Sequence, residues 1–300
     1  MLINTSNINQ LNRGFSKVYR SAYDETPEWG SKVATTIRSN HGTEVHGWMQ
    51  RILAMREWDG PRLIQNLVST DYTLTNKTYE LTVGVEVNDI EDDSLGVYEP
   101  MFSEMGRVQR KWPDQQLKTV LQGGTTGVGP FGEVFFTTSH ALDPAGNQSN
   151  NFTSTALNAT NYDNVRAAMT AYTGEDGEPL GVMPNLLVVP PQLEKTAREI
   201  LNADIIANSA GTAGVTNVLR GSAELLVVPE LANQSTTWYL MDTTKGIKPL
   251  VWQLRQSPSL VSKTSPTDEN VFNDDQFLYG SKARGVAGYG LWWLAARAIA

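Results

Sequence analysis

The stretch from Tyr98 to Gln122 constrains the fold of this chain more than any other. Pro100 stands where a first helical turn tolerates a missing N–H, and Glu99 and Glu104 suit the positive end of a helix. Met101, Met105, Val108 and Trp112 follow at four-three-four spacing, an apolar stripe with Arg107, Arg110 and Lys111 off it. Pro113 removes a donor and crowds the carbonyl of Gln109, so the pattern reads as a kinked helix or as two amphipathic helices. Leu117, Val120 and Leu121 resume the apolar face, and Gly123-Gly124 ends it. One continuous helix would be a rod of roughly 38 Å. With strand-like sequence on both sides, it reads as a structural spine and not as part of an active site.

Upstream, Ile8, Leu11, Phe15, Val18 and Ala22 mark one face of a helix. That helix either docks on its own core or lies against a neighbouring subunit. Val33 to Trp48 alternates loosely as a strand. Tyr72 and Leu74 alternate with Thr73 and Thr75. Asn76-Lys77 has the chemistry of a hairpin tip, and Tyr79, Leu81, Val83, Val85 and Val87 then alternate with Glu80, Thr82, Gly84 and Glu86. A hairpin across Asn76 buries too little surface to stand alone, so it expects something to lie on. Deleting Thr70 to Thr78 should then leave a folded subunit that cannot associate.

Three hundred residues with 40% hydrophobic content can build a sizeable core. The absence of cysteine excludes a disulfide framework, a thiolate nucleophile and a Cys-type zinc site. A net charge of −8 with no basic tail argues against a tight, sequence-independent grip on nucleic acid. Met1-Leu-Ile runs straight into Asn and Thr, and Gly285 to Ala300 is short and contains Arg297, so a soluble protein made in a cytoplasm and without membrane contact is expected.

From Asn161 helical and strand patterns interleave: a helix bearing Tyr162, Val165, Met169 and Tyr172, a buried-type strand Leu186 to Val189, a short helix Leu193 to Leu201, and strands at 225–228, 238–241 and 250–254. This suggests a compact inserted unit over residues 161–248. Pro144 to Asn161 reads as a long exposed loop. Phe277 to Trp293 reads as a last strand or strand pair, returning to the main core beside the spine.

Chemistry is sparse. His41 and His46 cannot form a compact ligand pair if both lie on one strand. The acidic turn Asn88 to Ser94 lacks the glycine of a calcium loop, and Gly123 to Gly132 lacks the Gly-Lys-Ser/Thr of a phosphate loop. His140 beside Ser139 and Asp143 is the one fragment with a hydrolytic flavour. No catalytic, cofactor or metal site is expected.

Several segments resemble, in order, the major head subunit of Mu-like bacteriophages: Met1-Leu-Ile-Asn-Thr, Arg56-Glu-Trp, Tyr79-Glu-Leu-Thr-Val-Gly-Val, Asp89-Ile-Glu-Asp-Asp, Tyr98-Glu-Pro-Met-Phe-Ser-Glu-Met-Gly and Phe135-Phe-Thr-Thr-Ser-His. The likeness covers the first half well and the second half by pattern. A strand, an acidic turn and a long helix ending in glycines resemble the Hong Kong 97-type capsid fold. The resemblance implies an α+β subunit with an N-terminal arm at 1–32 and a peripheral domain at 33–160. That domain would carry an extended loop (about 52–80) and the spine (about 95–122). An axial domain would occupy 161–248, and peripheral strands would return over 249–300. The implied function is self-assembly into an icosahedral head around phage double-stranded DNA. The implied partners are other copies as pentamers and hexamers, a separate scaffolding protein, a portal protein, a decoration protein, and packaged DNA by weak contact. The virion is the expected location, after assembly in the host bacterial cytoplasm. Candidate contacts between subunits are Phe15 and Val18 on the arm and Arg56, Asp59, Arg62, Tyr72, Asn76 and Lys77 on the loop. An encapsulin-like nanocompartment shell and a hydrolase using His140 are the alternatives.

Overall fold

The computed structural model describes residues 5–49, 69–91, 95–142, 146–174, 177–207 and 214–300. The chain opens with α1 (Thr5–Glu25), a one-turn α2 (Gly30–Val33), and strands β1 (Ala34–Arg38), β2 (Thr43–Met49), β3 (Ser69–Thr75) and β4 (Lys77–Glu86). A short α3 (Val87–Glu91) leads into α4 (Leu95–Gln122), followed by β5 (His140–Leu142), β6 (Gly146–Gln148) and β7 (Asn151–Phe152). The middle holds α5 (Ala159–Thr170), β8 (Leu186–Val189), α6 (Glu194–Asn202), β9 (Ile205–Ala207), β10 (Gly214–Thr216), β11 (Glu224–Val227) and β12 (Thr237–Met241). The chain closes with β13 (Leu250–Gln256), β14 (Leu260–Lys263), α7 (Glu269–Asp274), β15 (Gln276–Tyr289) and β16 (Ala295–Ile299).

The spine, α4, is one helix of 28 residues that runs straight through both prolines. At 1.5 Å per residue it is roughly 42 Å long. Tertiary packing on both sides of Pro113 holds the continuity. Phe102, Met105, Gln109 and Trp112 are buried before it, and Asp114, Leu117 and Leu121 after it. The buried line therefore differs from the expected stripe: Val108 is 41% exposed, and Phe102 and Gln109 take the inward positions.

Helix α1 lies against α4 on the same chain. Its buried face is Ile8, Leu11, Phe15, Tyr19 and Ala22, helical spacing throughout. Phe15 stacks on Phe102 with ring centroids 4.1 Å apart and meets the edge of Tyr279 at 5.5 Å. The backbones approach so closely that a Cβ on Gly106 would lie 2.4 Å from the Tyr19 carbonyl oxygen. The first expected option, docking on its own core, is the one observed.

Two sheets share one core. In the first, β13 pairs parallel with β1 and antiparallel with β15, while β14 and β4 take the remaining edges of β15. In the second the order is β11-β8-β12-β16-β7, with β8 and β12 buried along their whole length. The C-terminal strand β16 thus lies in the second sheet, whereas β13, β14 and β15 lie in the first. Trp112 fastens α4 to the first sheet, packing on Trp252 of β13 at 4.9 Å and Tyr79 of β4 at 5.1 Å.

The expected hairpin across Asn76 does not form. β3 pairs with β2 in a separate two-stranded ribbon, from Thr43 opposite Thr75 to Met49 opposite Ser69. β4 turns away to pair with β15 over ten residue pairs. Asn76 is the buried corner between them. Its Nδ2 donates to Ser39 Oγ and to the His41 carbonyl, both at 2.9 Å, and its Oδ1 accepts from Gln253 Nε2 at 2.9 Å. Deleting Thr70 to Thr78 would remove this corner and the buried Leu74, so that deletion would damage the fold itself. The stretch Pro144 to Asn161 is not simply an exposed loop either. It carries β6, β7, a fully buried Asn150 and the buried Leu157.

Candidate assembly surface

His140 does not face a nucleophile. Its ring is buried and stacked on Trp292 with centroids 3.8 Å apart. Nδ1 lies 2.9 Å from Glu133 Oε2, and Nε2 lies 3.1 Å from Asn150 Oδ1. Burial pushes the imidazole pKa down, which favours the neutral ring. Ser139 is exposed, and Asp143 lies outside the described residues. Asn150 explains the arrangement: its Nδ2 donates to the carbonyls of Phe135, Trp292 and Ala295, and its Oδ1 accepts from the Thr137 N–H. His140 and Asn150 together tie the segment after the spine to the C-terminal strand. They are structural. Sequence reasoning missed Asn150 because an Asn/Ser/Thr-rich stretch carries the same composition whether exposed or knitted into backbone.

Among the described residues no group of three or more His, Asp or Glu could hold a metal ion, and no helix is long and apolar enough to cross a membrane. His41 sits in the turn before β2 and pairs with Glu44, while His46 on β2 reaches Gln253 at 2.7 Å. The Glu44 carboxylate accepts from the N–H groups of Asn40 and His41, which with the Ser39 hydroxyl hold its pKa down to about 2.

What remains is surface for association. Phe15 must be taken off the candidate list, because its ring is spent inside the chain; Asn76 likewise is an internal corner. Val18 is half-buried. The Tyr72 hydroxyl accepts from the Tyr289 N–H at 3.1 Å, which leaves its ring half-buried at the ribbon root. Lys77 is exposed at the start of β4. Arg56, Asp59 and Arg62 lie outside the described residues. Besides that Tyr72 contact, the ribbon is held to the body by Leu74 against Val251, by His46 to Gln253, and by Gln253 Nε2 donating to the Leu74 carbonyl at 3.2 Å. On the outward face of that root, opposite Thr73, Val45 is 59% exposed. Further apolar side chains stand in solvent on and after β9–β10, with Ile205 at 67% and Val218 at 87% exposure.

A long helix across a sheet, a second buried sheet, and a two-stranded ribbon beside the first sheet define a subunit of the Hong Kong 97-type capsid fold. The chain is similar to a subunit in the procapsid of bacteriophage JBD30 over 99% of its own length and 76% of that chain, with a TM-score of 0.61 and 28% identity. It also shares the fold of the SrpI encapsulin of Synechococcus elongatus, with a TM-score of 0.56 at 10% identity, over 91% of this chain and 87% of that one. The family model of the Mu-like prophage major head subunit gpT matches residues 8–156, 147–231 and 230–299, and the chain belongs to that family. It is 26% identical over 295 residues to the major capsid protein of Escherichia phage Mu, covering 98% of this chain and 74% of that protein. It is 24% identical over 282 residues to the FluMu prophage major head subunit of Haemophilus influenzae, covering 94% and 70%. The protein is a structural head subunit and not an enzyme.

Proposed function

We propose that copies of this chain form pentamers and hexamers that close into an icosahedral head around phage double-stranded DNA, assembled in the host bacterial cytoplasm. A separate scaffolding protein guides closure, and a portal protein occupies one vertex. Decoration fits the same reading, since a related JBD30 capsid is decorated with minor capsid protein trimers. The observation that carries the proposal is the likeness to a procapsid subunit along 99% of the chain. Within the subunit we assign residues 1–32 to an arm folded back on its own spine and about 161–248 to the axial domain at the capsomer centre. The peripheral domain takes the spine and the first sheet. The exposed apolar side chains at β9–β10 then face their equivalents around the capsomer axis. The net charge of −8 keeps contact with packaged DNA weak. Coexpression with the scaffolding protein and imaging by negative stain should show closed shells of uniform size. Discrete monomers at every concentration would contradict the assignment.

A further inference from the structure

Of the eight phenylalanines, Phe272 is the one in the exposed class, at 85%. It stands on α7, which is fixed in place. Asn270 Nδ2 donates to the carbonyls of Lys263 at 3.1 Å and Gln276 at 2.6 Å. Exposed Glu269, Asp274 and Asp275 surround it. A ring held out in water on a rigid knob gains from burial elsewhere, by about 1.5–3 kcal/mol for a full side chain.

A receptor of matching size lies on the same subunit. Tyr79, Leu81, Val108, Trp112, Pro258 and Ala283 line a groove between α4 and the sheet, with a cavity of about 150 Å³. That is the volume that holds one benzene-sized ring. Val108 is the member of the spine's apolar stripe that the subunit leaves exposed. Glu80 also lines the groove and Lys111 is held by Glu230 at 3.7 Å, so the positive charge that faces the knob comes from α1, where Arg20 borders the next groove across Pro258. Arg13, Lys17 and Arg20 are exposed along α1 without an ion pair among the described residues. The knob packs at the Gln276 end of β15 while the groove borders Ser281 and Ala283, roughly 17–24 Å along the strand. A fixed knob cannot reach its own groove, so the contact is made to a second copy.

We propose that Phe272 of one copy seats its ring in the Val108–Trp112 groove of a neighbouring copy, with the acidic side chains of α7 facing Arg20 and the basic stripe of α1 on that neighbour. The proposal rests on the shell reading and adds the identity of one contact to it. Because the chain has no cysteine, the test is direct. Shells of a Phe272→Cys/Val108→Cys double variant, mildly oxidised, should give a ladder of covalent oligomers on a non-reducing gel, while each single variant gives none. Phe272→Ala, folded by circular dichroism, should yield roughly tenfold fewer shells, as expected for loss of one buried anchor. Glu269→Arg should lower the yield and Arg20→Glu added to it should restore it. Assembly of Phe272→Ala at the wild-type level, or double-cysteine shells without a ladder, overturns the contact. A ladder linking the chain only to the scaffolding protein, tested with a cysteine placed there, does so as well. Failure of the unmodified chain to form any shell counts instead against the head-subunit function.

Discussion

Helix α1 and the β2–β3 ribbon look alike as sequence: each is a segment with an apolar alternation that a shell subunit would be expected to extend toward its neighbours. In the structure they differ. α1 buries five side chains, Ile8, Leu11, Phe15, Tyr19 and Ala22, against its own chain. The ribbon buries Leu74 and hangs from Gln253, His46 and the Tyr72 hydroxyl. The lesson is that protrusion is set by how many apolar side chains find a partner at home, and not by position near a terminus or in a loop. A helix bearing an apolar stripe of several turns completes itself. A two-stranded ribbon cannot.

Phe15→Ala sharpens the contrast most. It removes a ring stacked between Phe102 and Tyr279 and should lower the stability of the isolated subunit by about 3–5 kcal/mol in urea unfolding. A loss confined to assembly, with stability unchanged, would return α1 to the role of an external arm. Asn76→Ala should cost about 1–3 kcal/mol, because it strands the Gln253 amide and the His41 carbonyl at the ribbon root.

Asp114 tests the junction between the Trp29–Gly30 turn and α4 through pH. Its carboxylate is buried beneath the Trp29–Gly30 turn and accepts both N–H groups, at 3.2 and 2.8 Å. Burial pushes its pKa from 3.8 up to about 6, against those two hydrogen bonds. The folded state therefore binds this proton more tightly than the unfolded chain. The contribution is fully present below about pH 4 and is lost as pH rises through about 6. Buried His140 works in the opposite direction, since its lowered pKa favours the folded state as pH rises. Only the difference between wild type and Asp114→Asn isolates the carboxyl. In thermal melts, wild type should lose ground to Asp114→Asn between pH 5 and pH 7.5; a constant difference would show that the carboxyl is not held protonated. The smallest expected stability effect is at Val45, on the solvent-facing side of the ribbon. Val45→Asp should change subunit stability by about 0.5 kcal/mol or less yet lower shell yield.

The spine's limits and the alternation of β4 were legible in the residues, because caps and period are local. Continuity through Pro113 was not, since Phe102, Trp112, Leu117 and the first sheet decide it from outside the helix. The hairpin across Asn76 failed for a related reason. Asn-Lys suits a tight turn and an interior corner equally, and the partner of β4 is a strand that begins at Gln276. Placement of β16 in the second sheet was likewise decided by pairing with β12, far away in sequence. At the surface, the structural role could be read from the motifs shared with head subunits, whereas burial of Phe15 depended on rings from α4 and β15 that no local pattern reveals.

Hydrogen exchange on free subunits and on assembled shells measures the contrast between the two segments directly. The account predicts that α1 amides are protected equally in both. The outward-facing amides of β2–β3 should exchange quickly in free subunits and gain protection only in shells. A ribbon protected to the same extent in the lone subunit, or an α1 that becomes protected only on assembly, would contradict it.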